Sequence, residues 1–265
     1  EQSILRDTIR EFGKEVIRPA GLKLDKMANP ADAIAKDSIF WDVSRQFREL
    51  GLHKTELPES VGGNLEDMDA MSQIILLEEM GYADPGIAVS MAVSSLPFSM
   101  AAMFPNPKLQ EIARAFSEDT KGEIMGCWAI SEPDHGSDYM FDTEEPVMGP
   151  SVRGIQKGDE YIINGQKSSW VSNGTIATHA VVHVGLDPSK GMKGQGLAVI
   201  PLDLPGISRG KPLDKIGQRS LNQGELIFED ARIPEEYMVI TPDMGIIEMG
   251  RETRIAQVNG GMALM

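Results

Sequence analysis

The sequence predicts an α+β protein: an N-terminal all-α helical domain over residues 1–122, an antiparallel β-barrel as middle domain over 123–238, and over 239–265 the first helix of a C-terminal helical unit. Three observations carry this reading. Apolar residues recur at helical spacing through the first stretch. After Gly122 the pattern changes to a two-residue period with turn residues between short β-branched runs. After Pro234 helical spacing returns.

Ile4, Leu5, Ile9, Phe12, Val16 and Ile17 fall on one helical stripe, with Arg6, Asp7, Arg10 and Lys14 among the polar positions. Gly21, Asn29-Pro30 and the run from Pro58 to Gly63 punctuate the next stretch of chain. Between the last two, Phe40 to Leu52 reads as a helix ended by Gly51. Met68 to Met80 reads as another. From Pro85 to Phe104 the chain is almost uncharged and rich in Ala, Met, Ser and Val, the signature of a helix buried all round. Within the β region, Tyr161-Ile-Ile-Asn-Gly-Gln-Lys167 contains the Asn-Gly pair preferred in a type I′ hairpin turn. Ala180–Val184, Leu197–Ile200 and Glu225–Phe228 read as further strands. No helical pattern separates them, which favours an antiparallel barrel over a βαβ sheet.

The chain has 265 residues, 25 basic against 40 acidic, for a formal charge of −15. Such an excess would repel nucleic acid and anionic membrane surfaces, so neither is expected as a partner, while a local basic patch can still hold one small anionic ligand. Cys127 is the lone cysteine, and the four histidines form no metal signature, so neither an internal disulfide nor a metal site is expected. A reduced compartment, cytoplasm or mitochondrial matrix, fits this cysteine usage. No run of 18 apolar residues predicts a membrane span, and no cationic start with an apolar run predicts a signal peptide. The chain begins at Glu1 rather than methionine, which leaves room for residues ahead of it.

Two segments carry chemistry. In Trp128-Ala-Ile-Ser-Glu-Pro-Asp-His-Gly-Ser-Asp138 an apolar strand ends at Ser131, and Pro133 and Gly136 then force a loop of small hydroxyls and backbone N–H groups. That loop can donate to a carbonyl or phosphate, although local physics alone favours a solvated turn. Trp170-Val-Ser-Asn-Gly174 repeats the pattern of aromatic, apolar residue, hydroxyl and turn. Each tryptophan alone reads as core, yet two similar strand ends in one barrel point to a shared ligand. Gly191-Met-Lys-Gly-Gln-Gly196 lacks the spacing of a phosphate-cradling loop and reads as a connection between strands.

Together these segments resemble the acyl-CoA dehydrogenase family. The first family fingerprint, ending in Ser/Thr-Glu-Pro and Gly-Ser-Asp, is here Trp128 to Asp138. The second spans Gly158 to Gly174, with one residue more than the commonest spacing before Trp170. The third is Gly217-Gln-Arg219 leading to Phe228-Glu-Asp230 and Ile233-Pro234, and a Pro-Glu-x-x-Gly-Gly loop matches Pro58 to Gly63. Where the family usually shows Ser-x-Thr after the third motif, this chain has Leu221-Asn222-Gln223.

The resemblance implies an FAD-dependent acyl-CoA dehydrogenase that forms a 2,3-enoyl-CoA and passes electrons to an electron-transfer flavoprotein. An acyl-CoA oxidase and a non-catalytic acyl-CoA-binding subunit stand as alternatives. By matching positions, Trp128, Ile130 and Ser131 would line the flavin from one strand, and Trp170, Val171 and Ser172 from another. Ser137 would touch the pantetheine arm, and Arg251, Glu252, Thr253 and Arg254 would contact CoA. The catalytic base is not assigned. Some family members place a glutamate where this chain has Thr253, and adjacent Glu252 points about 100° away around a helix. The expected source of the base is therefore the C-terminal bundle into which family members continue, beyond the position of Met265. Small Ala88, Val89 and Ala92 would wall the acyl pocket. The absence of Arg and Lys from Gly81 to Pro107 favours a neutral acyl chain over an ω-carboxylate. A homotetramer is implied as well, with Ile255, Val258 and Met262 needing a partner surface.

Overall fold

The computed structural model describes residues 2–140 and 143–244. The expected C-terminal helix, with Arg251, Glu252, Thr253, Arg254, Ile255, Val258 and Met262, lies outside the described residues. So does the catalytic base expected beyond Met265, and Glu252 as its alternative is left untested for the same reason. Six α-helices occupy the first half: α1 (Gln2–Phe12), α2 (Arg18–Asp25), α3 (Ile39–Glu49), α4 (Ala70–Ala83), α5 (Pro85–Ala102) and α6 (Pro107–Glu118). A π-helical turn at Gly13–Ile17 joins α1 to α2. Side-chain caps set most starts. Ser38 accepts from Phe40 N, Asp69 from Ser72 N, Asp84 from Ile87 N and Asn106 from Lys108 N, each satisfying a helix donor that would otherwise be orphaned. The expected stop of α3 is present, with Gly51 left-handed at φ 71.

α5 organises the molecule. Its first half packs Ile87, Ala88 and Met91 into a core with Ile9, Ile17, Phe40 and Met80. Its second half joins Phe98 and Ala101 to α6 and to the sheet, where the Phe98 ring stacks on Phe116 at 4.1 Å. Burying each of those rings contributes about 1.5–3 kcal/mol. By length and composition α5 could cross a membrane, but more than half of it is buried inside the protein and its serines are hydrogen-bonded there, as in a core helix.

Eight strands follow: β1 (Gly126–Ala129), β2 (Arg153–Lys157), β3 (Glu160–Ser172), β4 (His179–Gly185), β5 (Gln195–Pro201), β6 (Ile207–Arg209), β7 (Gln223–Pro234) and β8 (Met238–Ile240). They form one sheet in the order β6-β7-β3-β2-β4-β5-β8, with β1 lying against β4. This corrects the expected closed antiparallel barrel. Three-residue β6 and β8 end the sheet unpaired with one another, and β1 and the start of β2, at Arg153, run parallel to β4 along its edge. The physical reason is the entry of the chain. β1 arrives from α6, lies under α5 and takes an edge of β4 in the same direction, a long-range placement that alternation cannot encode.

The expected type I′ turn at Asn164-Gly165 is also corrected. The β2–β3 turn is Gly158-Asp159, with Gly158 at φ 67, and Asn164-Gly165 sits inside β3 at a register shift against β7. The Asn164 side chain pairs twice with Asp230 across that bulge. At Gly165, φ 129, a Cβ would come 2.9 Å from the Val152 Cα. Gly191 to Gly194 do lie in the connection from β4 to β5, while Gln195 and Gly196 already open β5.

Candidate functional site

The two tryptophan-bearing segments end side by side. The Ser168 N–H donates to Ser131 O at 2.9 Å, and Lys167 Nζ donates to Ile130 O at 3.0 Å, so the end of β1 is clamped to β3. Alternation then sorts the side chains. Cys127 and Ala129 enter the core, whereas Trp128, Ile130 and Ser131 stay half-buried. On β3, Val171 is 3% exposed, while Trp170 is 54% exposed and Ser172 half-buried. Trp170 therefore does not fill the core, and Val171 can serve the expected site only through its main chain. The stretch before Trp170 is irregular, since Lys167 pairs with Leu226 and the next register pair is Val171 with Gly224, which leaves residues 168–170 of β3 opposite Glu225 alone.

Beneath these strands lies a buried polar network whose members sequence reasoning left without a role. Lys167 Nζ meets Glu132 Oε1 at 2.7 Å and the Tyr139 hydroxyl at 3.1 Å. The Tyr139 hydroxyl donates to Glu132 Oε1 at 2.8 Å, and the N–H groups of Ser151 and Val152 donate to the same carboxylate. Burial works against the Glu132 charge, but Lys167 and these N–H groups outweigh it and hold the carboxyl below its usual range. Burial pulls the Lys167 ammonium down to about 8 despite Glu132. Every Glu132 oxygen is engaged, so this carboxylate is a clamp between the first two motifs and no proton acceptor for a ligand. The legible signal was Glu-Pro in one motif and Asn-Gly-x-Lys in the other, charges in otherwise apolar strands.

The Trp128 indole donates to His183 Nε2 at 3.0 Å, so that nitrogen is the acceptor and Nδ1–H donates to Gln195 Oε1 at 2.7 Å. Burial, with Lys167 nearby, pulls His183 down to about 3 and keeps the ring neutral. The Trp128 plane is thus anchored at its polar end. At the end of β3, Asn173 adopts φ 62, a left-handed conformation that asparagine tolerates. Its amide donates to Ser90 O and Gly126 O and accepts from the Ser90 hydroxyl, tying α5, β1 and β3 at one point.

Gln223, in the place where the chain departs from the family's usual Ser-x-Thr, is a second residue missed. Its amide donates to Trp170 O at 3.1 Å and Ser172 Oγ at 3.2 Å, and accepts from Lys215 Nζ at 3.0 Å. Partial burial, with Arg219 nearby, lowers Lys215 to about 8. Ser137 is exposed on the loop after β1, a loop held by Asp138 through His135 Nδ1 and Gly136 N, each at 2.5 Å. Among the described residues no group of three His, Cys, Asp or Glu side chains is placed to hold a metal.

Residues 1–112 match the acyl-CoA dehydrogenase N-terminal domain, and residues 127–231 match the acyl-CoA dehydrogenase middle domain. The chain belongs to the acyl-CoA dehydrogenase family. It is 30% identical to the mitochondrial short-chain specific acyl-CoA dehydrogenase of Mus musculus over 254 residues, which is 94% of the chain and 57% of the mouse protein. It is 29% identical to cyclohex-1-ene-1-carbonyl-CoA dehydrogenase of Geobacter metallireducens, covering 90% of the chain and 57% of that protein. The solved glutaryl-coenzyme A dehydrogenase–glutaryl-CoA complex superimposes with a TM-score of 0.79 at 26% identity, over 99% of the chain and 63% of that structure. The chain therefore spans somewhat over half the length of the relatives it matches.

Proposed function

We propose that the protein is an FAD-dependent acyl-CoA dehydrogenase that converts an acyl-CoA to its 2,3-enoyl-CoA, with an electron-transfer flavoprotein as acceptor. One observation carries the reading: two adjacent strand ends, joined by the Ser168–Ser131 bond, each leave a tryptophan incompletely buried beside a serine hydroxyl. A planar ring suits that edge. The indole of Trp170 offers a large flat surface, and aromatic faces left open beside polar groups are typical of ligand walls. The residues thus fit a flavin.

FAD, when bound, supplies the acceptor for the β-hydride and a surface on which the acyl thioester stacks. The chain's own residues do the rest. Trp170 covers one face of the ring and excludes water. The Ser172 oxygen already accepts from Gln223, so its own O–H remains to donate to a polar edge of the ring. Ile130 and the Trp128 body line the neighbouring strand, and Ser137 reaches the pantetheine arm from its exposed turn. Arg251, Glu252, Thr253 and Arg254 are assigned to CoA by motif alone, and the base that removes the α-proton is assigned to a residue other than buried Glu132. A homotetramer within a reduced compartment completes the reading, for which sedimentation should give several times the monomer mass.

The test is spectroscopic. The purified protein should show an oxidised flavin spectrum that bleaches on anaerobic addition of a neutral acyl-CoA. A protein that stays colourless after FAD is supplied would sink the proposal. Rapid peroxide formation on readmitting air would instead favour the oxidase alternative.

A further inference from the structure

A narrow cleft with about 20 Å3 of free space, room for one small terminal group, opens between α3, α4 and α5, with Leu76, Met80, Ala88 and Ala92 as apolar walls. Half-buried Ala92 stands on the same side of α5 as half-exposed Val89, Val93 and Leu96, so the cleft borders a stretch of helix that the described residues leave partly uncovered. Its lining also includes four polar residues, Glu56, Ser95, His53 and Thr55, the last with its hydroxyl donated to Leu52 O at 2.8 Å. The Ser95 hydroxyl lies 2.5 Å from Glu56 Oε2 and 2.8 Å from Ala92 O. His53 is 3% exposed, its Nε2 bonds to Ser117 O at 3.1 Å, and its buried Nδ1 has no partner. Since Nε2 faces a carbonyl it carries the proton, which makes Nδ1 a bare lone pair. Burial, reinforced by nearby Arg48, lowers this histidine to about 4, so the ring is neutral near pH 7. Burial also raises the Glu56 carboxyl, with Ser95 opposing. No Lys or Arg is among the lining residues.

The polar groups are acceptors in excess of donors. A plain hydrocarbon tail would leave the His53 lone pair unpaired and desolvate Glu56 further, and a carboxylate tail would face Glu56 without a countercharge. A tail ending in a donor satisfies both. We propose that this cleft seats the far end of an acyl group that carries a hydrogen-bond donor, a hydroxyl or an ammonium, held by His53 Nδ1 and Glu56. The proposal rests on the acyl-CoA dehydrogenase reading above and adds the class of acyl group to it.

The experiment compares flavin bleaching by a length series of acyl-CoAs, each in plain, ω-hydroxy, ω-amino and ω-carboxy form. At the length that reaches the cleft, a donor-tipped form should show kcat/KM roughly tenfold above the plain chain, with the ω-carboxy form poorest. Glu56→Met should abolish that preference while plain acyl-CoAs still bleach the flavin. Glu56→Gln should keep a preference for hydroxyl and lose one for ammonium, separating the two donors. Plain chains preferred at every length, or a ratio unchanged in Glu56→Met, would overturn this inference and leave the dehydrogenase reading standing. The comparison on the unaltered protein decides the matter even if a variant fails to fold. If no acyl-CoA of any form bleaches the flavin, both readings fall together.

Discussion

Trp170 and Val171 are neighbours in sequence and opposites in environment, because successive β-strand side chains point to opposite faces. A tryptophan that fills no core costs little to replace when nothing is bound. Trp170→Phe should therefore leave the melting temperature of the FAD-free protein nearly unchanged while altering flavin spectrum and affinity. Ser172→Ala should weaken FAD binding by about 0.5–1.5 kcal/mol, the worth of one neutral hydrogen bond. Unchanged affinity and spectrum in both variants, read by flavin fluorescence titration, would show that this strand does not face the ring. Much of the candidate site was legible residue by residue, since hydroxyls and tryptophans at strand ends announce themselves. Gln223 was not, because a glutamine in a polar loop carries no signal until the fold places its amide against Trp170 O and Ser172.

Among elements, the contact between α5 and β1 is a tight joint near the site. A Cβ on Gly126 would stand 2.5 Å from both Pro97 Cδ and Ser94 O, so only glycine lets the strand lie against the helix. Gly126→Ala should destabilise the protein by about 1–3 kcal/mol through overpacking. It should also lower FAD affinity, because Trp128 and Ile130 ride on the displaced strand. Denaturant melts that superimpose on the unaltered protein would refute the rigid joint. Helix identities were readable from apolar spacing and caps, and α3, α4 and α5 lie close to their expected bounds. The Asn-Gly pair misled because it satisfies two structures at once. Its preference for positive φ serves a bulge as well as a turn, and pairing with Asp230 chose the bulge.

At the scale of the whole molecule, His53 and His179 are held at about 4 and His183 at about 3, against 6.5 when exposed, burial being the first cause in each. Between 6.5 and 4 the unfolded chain binds protons that the folded chain refuses, so stability falls as pH falls through that window. The slope is up to about 1.4 kcal/mol per pH unit for His183 and less for the other two. Glu132, held low, adds its own loss only below 4.5. The melting temperature should drop steadily from pH 6.5 to 4, and His183→Gln should flatten part of the decline. A flat profile for the unaltered protein would contradict neutral burial of these rings.

Local chemistry in the sequence determined which stretches are helix and which are strand, where α3 stops at Gly51, and which motifs carry tryptophan and hydroxyl. Periodicity, capping and turn preference act over a few residues, and the chain states them directly. Only the tertiary structure decided that the sheet stays open with β1 parallel to β4, that Lys167 and Glu132 clamp the two motifs together, and that His53, with its unpaired nitrogen, and Glu56 line one cleft. Each of these depends on residues far apart in the chain whose meeting follows from packing around α5. Closure of a sheet, partners for a buried charge and the lining of a cavity are properties of that packing, and no window of sequence contains them.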